Sequence, residues 1–219
     1  MYQYAEQLMD LIEKSPSRYH ATANLKNRLT AKGYTALAED AAWDVRPGGR
    51  YVVTRNDSSL LAFRVPEGGV TGFALAAAHS DSPTFQIKEH AEKLSARCTV
   101  LDTEKYGGML MNTWFDRPLS VAGRIIVERD GKLEARLADV DRDLMIIPSV
   151  AIHMNRAAND GVKLLANVDT FPLLGCGAQD LRAIVAEAAG VAPEQILGHD
   201  LFLYLRGRGS VLGVEGELI

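Results

Sequence analysis

Cysteine is scarce in this chain. Its two cysteines, Cys98 and Cys176, stand far apart and form no Cys-x-x-Cys pair. A disulfide framework is therefore excluded, and both read as small buried or surface residues in a reducing cytoplasm. No apolar run approaches the ~20 residues that a membrane helix needs, so no membrane span is expected. The opening stretch MYQYAEQLMDLIEK carries early acids and no basic n-region, which argues against a signal peptide. Positive charge is not in excess either. Against 24 Lys and Arg stand 28 Asp and Glu, a net charge of −4, which argues against a broad nucleic-acid footprint. Internal repeats and low-complexity tracts are missing. What remains is 219 residues with 47% hydrophobic and 24% charged content. That is an ordinary globular composition, enough for one large domain or two small ones of α/β type.

Several familiar site motifs are also missing. The glycine-rich run Gly207-Arg208-Gly209-Ser210-Val211-Leu212-Gly213 has Leu212 where a dinucleotide-binding loop needs its third glycine. The same run has Arg208 where a nucleophile elbow needs a glycine two residues before the serine. No Gly-Lys-Ser/Thr of a phosphate loop occurs.

The pattern of apolar residues and turn formers predicts the elements. Tyr4, Leu8, Leu11 and Ile12 have helical spacing over 3–14, and Ser17 is a plausible N-cap for a second helix over 19–32, ended by Gly33. A short strand is expected at 43–46, and a hairpin at 50–55 and 60–65 around Asn56-Asp57-Ser58-Ser59. Residues 72–78 (GFALAAA) form a short continuous apolar run bounded by turns. That predicts a strand buried on both faces in the middle of an α/β sheet; a buried helical turn is the competing reading. After Pro83 the texture becomes β-rich. Strands are expected at 84–90, 96–102, 120–129 and 132–137, with Asp130-Gly131 as a hairpin turn. A helical turn follows at 149–155, a helix at 178–189 stopped by Gly190, and a strand at 200–205. The shift in composition predicts a second, β-rich unit inserted after the central strand. The expected boundaries are 1–87, 88–200 and 201–219.

The sharpest chemical feature is His79-Ser80-Asp81, directly after the apolar run. In open α/β sheets, ligand sites lie at the carboxyl ends of strands. In extended chain, residues i and i+2 point to one side. His79 is thus a candidate metal ligand, with Asp81 accepting its other ring N–H and setting tautomer and orientation. A strand-end histidine tied to an aspartate for structural reasons is the plain alternative. His20 reads as a helix-start residue, and His90 and His199 as surface or structural residues without an acidic or cysteine partner at ligand spacing. His153 lies beside Asn155 and Arg156 in an otherwise apolar stretch, where a structural histidine is the base expectation. The cluster Trp114-Phe115-Asp116-Arg117-Pro118-Leu119 reads as a structural or interface feature; binding of a charged substrate by Asp116 and Arg117 is the alternative.

Taken together, a set of segments resembles the aspartyl aminopeptidase family of zinc exopeptidases. They are SPSRYHATANLKNRL (15–29), WDVRPGGRYVVTRNDSSLLAF (43–63), AAHSDSP (77–83), YGGMLMNTWFDRPLSVAGRI (106–125), IPSVAIHMNR (147–156) and HDLFLYL (199–205). Their order and spacing fit as well. The resemblance implies part of a zinc-exopeptidase α/β sheet domain followed by an inserted β-rich dimerisation domain. It implies that His79 is the first zinc ligand and Asp81 the acid that orients it. It implies that His153 reaches into the active site of a neighbouring subunit. It places Trp114–Leu119 in the dimerisation domain, which favours the interface reading there. It implies peptide substrates with an N-terminal Asp or Glu, and large tetrahedral assemblies built from dimers.

Family members are about twice this length. They continue with an Arg-Leu-Asp motif whose Asp bridges a pair of zinc ions, then a Glu-Glu pair holding the catalytic base, a further Asp and a final His. None of these motifs occurs here, and Glu215 and Glu217 precede the bridging Asp's expected place. The expectation is therefore a metalloaminopeptidase chain with an incomplete zinc site, inactive alone. The alternative is a non-catalytic assembly module built on the dimerisation domain. Residues 1–85 are expected to expose apolar surface and unpaired strand edges unless the chain swaps or dimerises.

Overall fold

Helix α1, Tyr2–Glu13, opens the computed structural model, which describes residues 2–218. Its buried anchor is Met9, whereas Tyr4, Leu8 and Ile12 of the expected apolar stripe are exposed. Its acidic residues face Arg208, which pairs with Glu6, lies 2.8 Å from Asp10 and reaches toward Glu13. Helix α2, Arg18–Thr30, starts at the expected cap: the Ser17 side chain accepts from the His20 backbone N–H and lies 2.8 Å from His20 Nδ1. Sealing one orphan backbone donor in this way is what a serine N-cap contributes.

A small sheet follows in the order β1 (Thr35–Leu37), β2 (Arg50–Arg55), β3 (Ser59–Arg64). The β2–β3 hairpin is antiparallel from Arg50↔Arg64 to Arg55↔Ser59, turning through Asn56 and Asp57 at positive φ. Asparagine and aspartate tolerate that conformation better than other residues with side chains. The parallel strand β1 was not expected. Residues 43–46, expected as a strand, carry no ladder; there Trp43 Nε1 donates to the Ala38 carbonyl and Asp44 pairs with Arg46.

The expected central strand is the main correction. Residues 69–83 are neither helix nor strand, and Phe73 and Leu75 are 85% and 87% exposed. The physical reason is pairing. A strand buried on both faces needs ladder partners, and among the described residues none pairs with 72–78. With Val70 and Leu61 also exposed, this region presents apolar surface without cover.

From Pro83 the chain builds a second compact unit, Pro83–Gly207; the first unit runs to Ser82 and takes in the segment from Arg208 onward. The seams differ from the expected 87/88 and 200/201. Strand pairing is the reason: Thr84 is already paired with Tyr106, and Leu205 is still paired with Leu119. The unit is a 6-stranded antiparallel sheet. Its strands are β4 (Thr84–Ser95), β5 (Cys98–Tyr106), β6 (Leu119–Arg129), β7 (Lys132–Asp139), β8 (Leu173–Cys176) and β9 (Ile196–Leu205). Their spatial order is β7-β6-β9-β4-β5-β8. The β6–β7 turn uses Asp130 and Gly131, both at positive φ, as the sequence predicts. The β4–β5 turn uses Ala96 and Arg97 at positive φ, so the strand expected from 96 begins at Cys98. Of the helical turn expected at 149–155, residues 152–154 form a turn closed by the Met154 N–H to the Ala151 carbonyl and the Asn155 N–H to the Ile152 carbonyl, and 149–151 are irregular.

Helix α3, Leu181–Ala189, is capped by the Asp180 carboxylate and stopped by Gly190 at φ +64°. It seals Leu181, Val185 and Ala186 into one core with Phe85, Ile87, Leu101, Leu119, Val121, Ile125 and Leu203. Each large side chain so buried contributes about 1.5–3 kcal/mol.

Gly123 sits where β6 meets β9. A Cβ there would lie 2.0 Å from the Asp200 carbonyl oxygen and 2.9 Å from Leu201 Cα. Neither backbone atom can yield without opening the ladder. Gly123→Ala is expected to destabilise this unit by about 3 kcal/mol in chemical denaturation. Gly108→Ala, which meets open space, is the control and should stay within about 0.5 kcal/mol of the parent.

Candidate functional site

His79 stands on the irregular segment after Leu75, with its side chain 80% exposed. Its Nδ1 lies 2.8 Å from the Asp81 carbonyl oxygen and 3.2 Å from Asp81 Oδ1. Both are acceptors, so Nδ1 carries a proton, and in the neutral ring the lone pair lies on Nε2. A metal-ligating histidine is set in this way by a carboxylate or carbonyl behind it. Ser80 Oγ donates to the Ser58 carbonyl at 2.9 Å and ties the segment to the start of the β3 hairpin arm.

Zinc requires more than this pair. A catalytic site takes three protein ligands and keeps one position for water. Among the described residues no group of three or more His, Cys, Asp or Glu side chains converges on a metal position. An imidazole backed by a carboxylate has the donor chemistry that zinc takes, and among the described residues His79 and Asp81 are not joined by further such groups into a cluster.

His153 belongs to the other unit, on an exposed run of turns between Pro148 and Leu173. The start of that run is held by Asp116. Asp116 has φ +57°. Its backbone N–H donates to the Ile147 carbonyl at 2.9 Å. Its carboxylate accepts the Ser149 N–H at 2.9 Å and the Ser149 hydroxyl. The hydroxyl and then the N–H of Ser149 hold the Asp116 carboxyl below the usual carboxylate range. Asp116 is therefore a loop clamp. Its partner lies 33 positions on, where the Trp114–Leu119 cluster alone carries no sign of it. An open cleft of about 870 Å³ lies alongside, lined by Met109, Phe115, Asp116, Ser149, Val150 and Asn155 among others. His153 is not in that lining.

The remaining histidines sort by geometry. His20 supports the α2 cap. His199 Nε2 lies 3.6 Å from Glu89 Oε2, a partner 110 positions away that spacing along the chain cannot show. His90 is exposed at a bulge in β4, with φ +52°.

Comparison with known proteins agrees with this architecture. Residues 11–219 match the model of a family described as "Aminopeptidase I zinc metalloprotease (M18)". A probable M18 family aminopeptidase 2 of Clostridium acetobutylicum is 41% identical over 228 residues, covering 99% of this chain and 53% of the relative. One from Pseudomonas aeruginosa is 40% identical, covering 97% of this chain and 52% of the relative. The chain spans about half the length of the curated relatives it matches. Among solved structures, a chain of the Ape4–Nbr1 complex superposes with a TM-score of 0.92 at 31% identity, covering 97% of this chain and 46% of that one. Chaetomium thermophilum mApe1 gives a TM-score of 0.87 at 27% identity, with 98% and 53% covered. With most of its length inside the family model and relatives at this identity, the chain belongs to the M18 family of zinc metalloprotease aminopeptidases.

Proposed function

We propose that this chain supplies part of the active site of an aminopeptidase that removes N-terminal Asp or Glu from peptides in the cytoplasm. His79 gives the first zinc ligand and Asp81 orients it. His153 faces substrate in a neighbouring subunit. The observation that carries this reading is the Nδ1 contact of His79 with Asp81, which leaves Nε2 of the neutral ring available as a ligand nitrogen. Zinc, when bound, polarises the scissile carbonyl and lowers the pKa of bound water. The chain's own groups do the rest of what is assigned here. Asp81 holds the His79 ring in the ligating tautomer. Asp116 fixes the root of the His153 loop through Ser149. His153 stabilises the developing oxyanion as a hydrogen-bond donor. The other ligands of a two-zinc site, and the glutamate base, lie in the region of the relatives that this chain does not span. On this reading the chain alone is inactive.

Elemental analysis after dialysis against trace zinc tests the reading, alongside hydrolysis of Asp- and Glu-anilides. The expected outcome is no retained zinc and no hydrolysis by the chain alone. Adding a polypeptide that covers the remaining half of a full-length relative should restore hydrolysis, with Asp and Glu preferred over Leu. In that mixture His79→Ala should abolish activity, and Asp81→Asn should lower it about 10–100-fold. Hydrolysis by the chain alone that His79→Ala removes would overturn the inactive reading. A preference for Leu would overturn the acidic specificity.

The clamp gives a separate expectation. Asp116→Ala should speed amide exchange at Ser149 by about tenfold or more. The sign of the pH effect follows from the depressed carboxyl. Order in the loop is present above about pH 4 and is lost as pH falls through the folded value of Asp116. The protection factor at Ser149, the intrinsic exchange rate at each pH divided by the observed rate, should fall over that acid range in the parent and stay flat in the variant.

A second reading rests on Pro83–Gly207, which has its own sheet and core. Val150, Ile152 and Met154 stand exposed on the His153 loop. As an assembly module, the chain would associate with itself through this unit. Sedimentation should show concentration-dependent association that Met154→Asp weakens. A monomer at all concentrations would remove this reading.

A further inference from the structure

The two cysteines that looked unrelated in sequence face each other across the β5–β8 ladder. Cys98 pairs with Cys176, and their Sγ atoms are 3.9 Å apart, both as free thiols. The neighbouring ladder rung identifies the kind of pair. Gly177 N–H donates to the Arg97 carbonyl at 2.7 Å. Those two residues form a hydrogen-bonded rung, so Cys98 and Cys176 occupy the alternate, non-hydrogen-bonded rung. There the Cα atoms approach to about 4.5 Å and the side chains come closest. That separation lies within the range a disulfide spans. Rotation about the cysteine χ1 bonds closes the remaining gap between the sulfurs, with the backbone left in place.

The backbone around the pair is held from several sides. Thr99 Oγ1 donates to the Gly177 carbonyl at 2.7 Å and accepts the Gln179 N–H at 3.0 Å. Gln179 Nε2 donates to the Cys176 carbonyl at 2.6 Å. The β4–β5 turn through Ala96 and Arg97 fixes the start of β5. Access is also present: Cys176 is exposed and Cys98 half-buried. Strand β8 ends the strand order beside β5, and its first residue, Leu173, also bridges Ile146.

We infer that Cys98 and Cys176 form a reversible dithiol–disulfide site, oxidised by small-molecule disulfides such as oxidised glutathione. The exposed Cys176 thiolate attacks one sulfur of the oxidant. The oxidant's S–S bond breaks and one small thiol leaves, so Cys176 carries a mixed disulfide. The Cys98 thiolate then attacks the Cys176 sulfur and expels the second small thiol. The two protein thiols give up two protons and two electrons, and the oxidant's disulfide receives both as two thiols. The ring so closed spans residues 98–176. It contains β5 to β8 and the whole loop that carries His153. Oxidation therefore ties the edge strand β8 and the return of that loop to the body of the sheet. The inference rests on ladder geometry and is independent of the proposed activity.

The test uses the full chain, reduced, desalted and equilibrated in glutathione buffers of increasing oxidation, then alkylated and weighed intact. The expected product is a monomer about 2 Da lighter, with no alkyl group and with the Cys98 and Cys176 peptides linked after digestion. Its melting temperature should exceed that of the reduced chain by on the order of 10 °C, since the closed loop is long. Dithiothreitol should reverse both changes. Cys98→Ser should stop at a stable glutathione adduct on Cys176, and Cys176→Ser should react far more slowly at Cys98. If the unsubstituted chain also stops at an adduct on Cys176, with Cys98 open to alkylation, the inference fails. It fails equally if oxidation yields only dimers linked between chains.

Discussion

Insertion of β9 between β6 and β4 is the pairing on which the β-rich unit depends. The last strand in sequence lies in the middle of the sheet. Its ladder to β6 runs from Leu119↔Leu205 to Val127↔Ile196, and Gln86↔Phe202 joins it to β4. Without it, the sheet would split into the β6–β7 hairpin and the β4-β5-β8 piece, and an isolated hairpin is marginal in water. Gly123 lets the two backbones approach. Polar groups then hold the alignment. Arg124 lies 2.6 Å from Asp200, and Tyr204 donates to Asp139 at 2.6 Å. Burial first, and then the bond to Asp139, push the Tyr204 hydroxyl above its ordinary range, so it stays a donor. Half-buried charge pairs of this kind add little net stability, because desolvation offsets their attraction. Here they penalise a slipped register, since a slip by one residue would separate each pair and turn the core side chains outward.

The first unit is organised by local contacts instead. Ser17 caps α2 next to His20, Asn56-Asp57 turn the hairpin, and Asp81 sets His79 from two residues away. None of these needs a sheet around it. That explains how a defined imidazole orientation coexists with a segment whose Phe73 and Leu75 lie open to solvent. The chemistry of the pair is decided by chain direction and spacing, and the burial of its strand by partners elsewhere.

The same division explains what could be read from the amino acids. The hairpins at Arg50–Arg64 and Leu119–Asp139 were legible because their turns carry Asn-Asp and Asp-Gly, residues suited to positive φ. The His79–Asp81 contact was legible because the partners stand two residues apart, although the shortest approach is to the Asp81 backbone carbonyl. The run at 72–78 misled because apolar composition reports a preference for burial and is silent about ladder partners. Strand β8 was missed because four residues after Phe171-Pro172 leave too short a pattern. Asp116–Ser149, Glu89–His199 and Cys98–Cys176 were illegible for another reason. Each joins side chains from separate strands or loops, and only the β-sheet register brings them together.

Under the proposed function, the exposed state of His79 has an energetic consequence. A zinc ligand on a segment without ladder partners is not fully preorganised. Fixing each residue of such a segment costs about 1–2 kcal/mol of conformational entropy. One imidazole cannot offset that for 69–83, whatever its tautomer. Further ligands and neighbouring strands would share the cost, because ladder pairing orders the same backbone that the metal needs ordered. Metal affinity and burial of Phe73 and Leu75 are then one linked equilibrium, in the sense that binding to an unformed site carries folding free energy. The β-rich unit stands outside that linkage. Its core is complete within Pro83–Gly207, so it can hold the His153 loop in place before any metal arrives.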